Sequence, residues 1–280
     1  MRYLTALLLL VSSLSWSAPS VWLYDETTDN IIITKDSSQT RPIASITKLM
    51  TAVVTLEYDK DLDRRILVAK GSRLPSGYHR RHDVLTAMLV KSDNVAAVAL
   101  SKDYPGGTVE FVKTMNRRAQ NLGMHNTSFE DPSGIGRGNV STAREVGMLL
   151  QMASTFEPIR QISPQKHVQL DNVITKTTYK KKGQRVVKTY PVTLDNTNRV
   201  LLYDLSNVVV SKTGFTNPAG FCVGMVFETN TNKFMVVVLG ARDKAVRRHL
   251  ALDAVHSYVS NAKSITKNPE PKLVEFTYPI

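Results

Sequence analysis

Arg41-Pro42-Ile43-Ala44-Ser45-Ile46-Thr47-Lys48-Leu49-Met50-Thr51-Ala52 opens a run in which Ile46, Leu49, Met50, Val53, Val54 and Leu56 fall near helical spacing as far as Tyr58. The pattern predicts a mostly buried helix with Ser45 close to its start. At positions i and i+3 of a helix, the Ser45 hydroxyl and the Lys48 amine share one face within hydrogen-bond reach. A serine hydroxyl is a poor nucleophile until a base removes its proton, and lysine does so only with a pKa well below ~10.4. Desolvation by apolar neighbours and a nearby cation both push it down. The Ser-x-x-Lys spacing alone carries little, since it recurs at Ser163–Lys166, Ser260–Lys263 and Ser264–Lys267.

Two further motifs follow in order, Ser92-Asp93-Asn94 and Lys212-Thr213-Gly214, each unique in the chain. Only Ser45 precedes both while heading a buried helix. Lys212 is the natural second cation. The helix start offers the Ser45 N–H as one oxyanion donor. The Phe215 N–H would be the second, with Gly214 letting a substrate lie close to the strand edge. Ser92 can relay a proton to a departing amine, Asn94 can hold a substrate amide, and Asp93 is expected to point away and brace the turn. Taken singly, Ser92-Asp93-Asn94 reads as a helix–helix turn and Lys212-Thr213-Gly214 as a strand end. Their joint order turns the reading toward catalysis.

Outward from these motifs, Val21–Tyr24 and Ile31–Thr34 form a hairpin signal around Thr27-Thr28-Asp29-Asn30. Helices are expected over His82–Lys91, Asn94–Ser101, Thr108–Leu122 (ended by Gly123) and Thr142–Phe156, with Thr142 as cap and Glu145 three residues on. From Lys166 the chain turns β-type, at Val168–Leu170, Arg185–Thr189, Asn207–Lys212, Gly220–Glu228 and Lys233–Leu239, the last pair flanking a Thr229–Asn232 loop. Arg242–Val259 closes as a helix packed on a sheet. The order predicts an α+β fold, an antiparallel sheet built from both chain ends with an all-helical subdomain, about 60–160, inserted between them.

The chain has 280 residues, 42% hydrophobic and 21% charged, with a formal charge of +12. Such a composition excludes a disordered tail, a disulfide scaffold and a collagen-like fibre. A single cysteine, Cys222, rules out an intrachain disulfide and a Cys-clustered metal site, and mid-strand it reads as a small buried side chain. The six histidines, at 79, 82, 125, 167, 249 and 256, never form a metal-ligand spacing, so no metal and no cofactor are expected. Met1-Arg2-Tyr3 followed by the apolar run Leu4–Leu14 reads as an exported leader cleaved after Ser17, or alternatively after Ser20. That run is too short for a membrane span of ~20 residues, and no stable anchor is expected. Residues 18–262 then make one catalytic domain and 263–280 a short tail. Export turns the positive balance away from nucleic acid and toward an anionic cell wall, with a periplasmic location. Lys180-Lys181-Lys182-Gly183 reads as a solvated hairpin tip, Gly134-Ile135-Gly136-Arg137-Gly138 as a mobile loop near the cleft, and Met148, Leu149, Met152 and Phe156 as core. Arg242, Arg247 and Arg248 read as a solvated helix face, with the rival that Arg247 reaches the cleft as an extra carboxylate ligand.

The three motifs together resemble those of the low-molecular-mass penicillin-binding proteins, the D-alanyl-D-alanine carboxypeptidase and endopeptidase family. The resemblance covers roughly Val21–Ala262. It extends to Arg41–Ala52, to Asn126-Thr127-Ser128-Phe129-Glu130-Asp131-Pro132-Ser133-Gly134, and to Asn196-Thr197-Asn198-Arg199-Val200-Leu201. Ser211-Lys212-Thr213-Gly214-Phe215-Thr216, and the short interval from Ser45 to Ser92, look most like the penicillin-binding protein 7 type endopeptidases. The resemblance implies a β-lactamase/transpeptidase-like fold with the site between sheet and helical subdomain. It implies Ser45 as nucleophile, Lys48 as base, Ser92 and Asn94 on the opposite wall, and Lys212 with Thr213 binding a substrate carboxylate. Peptidoglycan stem peptides and cross-links would be the substrates and β-lactams covalent inhibitors. Two alternatives stay open. One is a β-lactamase of the same fold, for which Glu130 is the tempting water-activating residue although its surroundings lack the expected Leu and Asn. The other is a non-catalytic wall-binding protein.

Overall fold

The computed structural model describes residues 18–181 and 184–265. In chain order the elements are β1 (Ser20–Asp25), β2 (Asn30–Lys35), β3 (Arg41–Pro42), a 3-10 turn (Ala44–Thr47) running directly into α1 (Lys48–Tyr58), β4 (Arg65–Val68) and β5 (Gly77–Arg80). Then come α2 (Arg81–Lys91), α3 (Asn94–Lys102), α4 (Gly107–Asn121), β6 (Val140–Ser141), α5 (Ala143–Ala153), α6 (Glu157–Ile162), β7 (His167–Lys181) and β8 (Gln184–Asp195). The chain continues through α7 (Arg199–Asp204), β9 (Val208–Thr216), β10 (Gly220–Glu228), β11 (Lys233–Ala241) and α8 (Lys244–Ile265). The expected leader, Lys182 and Gly183 at the hairpin tip, and the tail beyond Ile265 lie outside the described residues.

The main sheet has five antiparallel strands in the order β2-β1-β11-β10-β9. Both ends of the chain meet in it, β1 pairing with β11 from Ser20↔Leu239 to Asp25↔Phe234. Successive side chains of a strand point to opposite faces, and here both faces are covered, which is why these strands read as near-continuous apolar runs. Val21, Leu23, Val223, Met225, Phe227, Phe234, Val236 and Val238 pack with Leu250, Ala251, Ala254 and Val255 of α8. Their alternating neighbours Trp22, Cys222, Val226, Met235, Val237 and Leu239 join the helical core with α1 and α5. In α1 every residue from Lys48 to Leu56 is buried. Among the described residues, no helix is long and apolar enough to cross a membrane.

Several expectations are revised. Among the described residues the β7–β8 hairpin pairs only with itself, apart from the main sheet; Leu170, Val173 and Leu194 at its base join the helical core. The short helices α6 and α7 escape a periodicity test because six residues complete fewer than two turns. Thr142 does cap α5, its Oγ1 accepting the Glu145 N–H at 3.1 Å, but Glu145 does not return the bond. Its carboxylate instead takes the Asn126 N–H, the Asn126 amide and the Thr127 hydroxyl, clamping the loop ahead of the helix. The glycine-rich segment expected to be mobile is tied down by Asp131, Glu130 and Asn139, as described below.

Gly147 of α5 shows how tightly helix and sheet meet: a Cβ there would stand 2.0 Å from the Trp22 ring. Alanine ordinarily favours a helix over glycine. Gly147→Ala should nonetheless lower stability by about 1–3 kcal/mol through overpacking, read as a lower urea midpoint. A raised midpoint would refute this contact.

Candidate active site

Ser45 lies in the 3-10 turn, with the α-helix proper beginning only at Lys48. In a 3-10 turn residues i and i+3 eclipse one another, and Lys48 Nζ stands 2.8 Å from Ser45 Oγ. The turn is entered through Ala44 at φ +46°, a left-handed conformation costly for a residue with a Cβ. Two glycines press on its backbone. A Cβ on Gly134, itself at φ +82°, would fall 2.0 Å from the Ala44 carbonyl oxygen. A Cβ on Gly214 would fall 2.7 Å from the Ile43 oxygen and 3.1 Å from the Ser45 nitrogen. Gly214 thus lets β9 pack against the turn that carries Ser45.

Lys48 is fully buried. Its amine donates to Ser45 Oγ, to Asn94 Oδ1 at 2.7 Å and to the Ser133 carbonyl. Burial pushes it down to about 7, against the opposing pull of Asp131 and Asp93. An ammonium has three N–H donors for these three acceptors. Loss of one proton leaves two, which the Asn94 and Ser133 oxygens hold, and turns the lone pair toward the Ser45 hydroxyl.

The Ser133 carbonyl was not singled out from sequence, because a main-chain oxygen has no residue-type signature. It is aimed by Asp131. One carboxylate oxygen of Asp131 accepts from Ser133 N–H, Ser133 Oγ and Gly134 N–H, the other from Gly136 N–H and Asn139 Nδ2. Burial alone would raise the Asp131 carboxyl, but these bonds hold it at about 2. Glu130 next to it accepts the Gly138 N–H at 2.7 Å.

Opposite, α2 ends at Ser92 in a left-handed conformation, φ +61°. Asp93 braces the turn as expected, accepting from the Ser72 hydroxyl, the Arg73 N–H and the first-turn amides of α3 at Val95 and Ala96. Ser92 Oγ then meets Lys212 Nζ at 2.9 Å, and Asn94 meets Lys48. Lys212, on edge strand β9, is buried and also donates to the Thr213 carbonyl. Burial first, then the charges of Lys48 and Arg247, push its amine well below the usual lysine range. Thr213 Oγ1 bonds Thr197 Oγ1 at 2.7 Å, and Asn198 Nδ2 bonds Ser211 Oγ at 2.9 Å, so the 196–198 segment straps β9 in place. Phe215 is half exposed, its ring stacked on Phe221 at 4.2 Å.

The three arginines of α8 part company. Arg242 is exposed beside Asp243 and Arg248 pairs with Asp204, as a solvated face requires. Arg247 is buried, its Nε has no hydrogen-bond partner among the described residues, and it is close enough to act electrostatically on Lys212. Its burial lowers its own pKa as well. The arrangement is a buried nucleophile–amine pair facing a shelf of two buried basic groups, Lys212 and Arg247. A broader depression of about 560 Å³ along α4, at Lys113, Asn116 and Arg117, holds none of these residues.

Residues 9–243 match the family model described as D-alanyl-D-alanine carboxypeptidase. The chain is 35% identical over 235 residues to the D-alanyl-D-alanine endopeptidase of Escherichia coli K12, spanning 80% of this chain and 72% of that one. It is 34% identical over 237 residues to the D-alanyl-D-alanine endopeptidase of Pseudomonas aeruginosa, with the same two coverages. Among solved structures it is similar to the Streptomyces K15 DD-transpeptidase, with a TM-score of 0.77 and 25% identity over 86% of this chain and 96% of that one. The antiparallel sheet flanked by helices is therefore of the β-lactamase/transpeptidase-like kind, and the chain belongs to the D-alanyl-D-alanine carboxypeptidase family of low-molecular-mass penicillin-binding proteins, which are serine peptidases.

Proposed function

We propose that the protein hydrolyses D-Ala-containing peptide bonds of peptidoglycan through a penicillin-sensitive acyl-enzyme on Ser45, and that it prefers cross-links to free D-Ala-D-Ala termini. The observation that carries this reading is the buried Lys48 amine at 2.8 Å from Ser45 Oγ with its other two contacts made to fixed oxygens. Ser45 Oγ attacks the D-Ala carbonyl carbon while its proton passes to Lys48 Nζ. Negative charge on the carbonyl oxygen would be met by the Ser45 and Phe215 amides, a reading supported by the close approach of Gly214, the neighbour of Phe215, to the Ser45 backbone. Collapse breaks the C–N bond, and Ser92, hydrogen-bonded to Lys212, relays the proton held on Lys48 to the leaving amine. Water then releases the acyl group by the reverse proton traffic.

The substrate carboxylate beside the scissile bond would sit on Lys212 and Thr213, with Arg247 as third ligand, and Asn94 would hold an amide of the acyl part. That carboxylate would also favour protonated Lys212, whose positive charge would keep its neighbour Lys48 neutral. Binding of the correct substrate would thus prepare the base. The endopeptidase preference rests on the relatives named D-alanyl-D-alanine endopeptidase at 33–35% identity. For domain organisation, residues 1–17 form an export leader, 18–262 the catalytic domain with a helical subdomain at about 60–160, and 263–280 a tail, in a periplasmic protein. Cleavage after Ser17 spares Ser20, which starts β1 opposite Leu239 and bonds Asp36 O and Arg41 Nε; cleavage after Ser20 would remove it. The positive balance favours weak association with anionic wall.

Intact-mass analysis after penicillin treatment should show one adduct on Ser45, lost in Ser45→Ala and kept in Ser163→Ala, whose hydroxyl is engaged by the Ser211 N–H. An adduct on Ser45→Ala would sink the mechanism. The acylation rate should rise about tenfold per pH unit below about 7, where Lys48 is losing its proton, and level off above. Lys48→Arg, which has no lone pair to offer, should fall by roughly 10²–10⁴-fold and lose that profile. Gly134→Ala, forced against the Ala44 carbonyl, should displace Ser45 and slow acylation by roughly 10²-fold, the scale of a 1 Å misplacement. An unchanged rate in that variant would show that the turn tolerates movement.

A further inference from the structure

The Lys-rich stretch read from the sequence as a solvated tip belongs to a hairpin whose charge the mechanism leaves unused. Between Asp171 and Asp195 the chain has no acidic residue, while Lys176, Lys180, Lys181, Lys182, Arg185 and Lys188 supply six positive charges, half of the formal +12. Lys182 lies outside the described residues; the other five sit on β7 and β8. The two acids that bound this stretch are engaged at its base, Asp171 by Gln169 and Asp195 by His167 and Arg199.

Folding alone does not favour this arrangement. Among the described residues the hairpin pairs with no other strand, and a two-stranded ribbon is marginal on its own. The register puts Lys180 directly opposite Arg185, and like charges facing each other across an antiparallel pair are destabilising. Lysines on an unpaired edge do guard against edge-to-edge association. Glutamate guards as well, and mixed signs would do so without the repulsion, so edge protection does not account for one sign along the whole arm. A concentrated field of one sign instead gathers an oppositely charged partner.

The position of the arm narrows what that partner is. Its base is fixed, with Leu170, Val173 and Leu194 in the core. From there β8 leads directly into residues 196–198, where Thr197 donates its N–H to the Val90 carbonyl and its hydroxyl meets Thr213 Oγ1 on the cleft wall. At about 3.3 Å per residue, Val173 to Lys181 extends roughly 25 Å. The cations are thus spread over the length of several peptide residues, starting beside the cleft. We propose that the β7–β8 hairpin is a docking arm for the uncleaved stem peptides of peptidoglycan that surround the one in the cleft. The proposal rests on the DD-peptidase reading, under which the substrate is a polymer whose repeating peptides carry free carboxylates, the D-Ala terminus among them. One arm meets several such carboxylates at once, and linked weak contacts add through effective concentration. Wall affinity then belongs to one element and not to the overall charge of the surface. A bilayer of anionic lipid matches the sign of the charge but does not supply the peptide that the adjoining cleft takes.

The test measures retention of the mature protein on isolated sacculi, with Ser45→Ala in every protein so that nothing is cleaved. The hairpin variant carries Lys176→Gln, Lys180→Gln, Lys181→Gln, Arg185→Gln and Lys188→Gln. A control carries Lys60→Gln, Lys70→Gln, Lys102→Gln, Lys113→Gln and Lys244→Gln, all exposed elsewhere on the surface, so both lose the same charge. At low salt the half-saturating sacculus concentration should rise roughly tenfold or more in the hairpin variant, the scale of several exposed ion pairs, and about twofold or less in the control. Retention of the parent should weaken as salt shortens screening to ~8 Å. Equal losses in the two variants would overturn the arm, leaving net charge as the cause. Equal retention on sacculi stripped of their stem peptides by an amidase would also overturn it, as would tighter retention on phosphatidylglycerol vesicles than on sacculi. The melting point of the hairpin variant should be unchanged or higher, since like-charge repulsion is relieved; a lower one would show that the cations serve folding. A variant with Lys176→Arg, Lys180→Arg, Lys181→Arg and Lys188→Arg keeps the charge and should bind as the parent does, and its failure to bind would count against the arm. Failure of the DD-peptidase reading looks different: penicillin leaves no adduct on the protein with Ser45 intact, while sacculus binding, read without turnover, stands or falls by itself.

Discussion

A lysine amine excluded from water is the constraint around which the rest of the molecule is arranged. Burial penalises the charged form of Lys48, and the penalty is tolerable only if every hydrogen of the amine finds an acceptor in either protonation state. Three separate parts of the chain supply those acceptors: the eclipsed Ser45 hydroxyl, the Asn94 amide on the α2–α3 turn, and the Ser133 carbonyl. Each is itself over-determined, by a left-handed Ala44, by the Asp93 brace and by the Asp131 knot. Backbone strain of this kind persists only where surrounding structure enforces it.

The charge pattern around the amine follows from the same burial. Lys48, Lys212 and Arg247 lie close enough for the latter two to interact, and the contacts of Lys212 are to neutral groups, Ser92 and a carbonyl. Such a cluster destabilises the folded protein, since burial disfavours the ordinary protonated form of these amines. The covered main sheet, apolar on both faces, provides the compensating stability. Strain and like charge concentrated in one cleft, with consistent packing elsewhere, is the pattern expected of a catalytic site.

Much of this was legible in the residues. Ser45, Lys48, Ser92, Asn94 and Lys212 were named from short motifs, and the structure brings them into contact. The two-ended sheet followed from runs such as Gly220–Glu228 and Lys233–Leu239, whose apolar character is a local property. Less legible were the groups that act through backbone atoms. The Ser133 carbonyl and the contact of Gly134 with Ala44 O depend on where a loop lands, and an O=C group is the same in every residue. The loop at Gly134–Gly138 looked mobile because glycine content is local, whereas the Asp131 bonds that pin it are geometric. Arg247 differed from Arg248 only by the rotation of α8, which a helix of alternating apolar and charged residues does not declare.

By itself, the sequence determined the chemistry available and its order along the chain: a serine with a lysine three residues on, a polar helix–helix turn, a basic strand and apolar segments at each end able to pair. Periodicity and residue type are enough for that. Only the tertiary structure decided which hydrogens of Lys48 are held, that Gly214 packs against the Ser45 turn, and that β7 and β8 stand apart from the main sheet. These depend on contacts between segments tens to hundreds of residues apart, where burial and hydrogen-bond geometry, rather than local propensity, set the outcome.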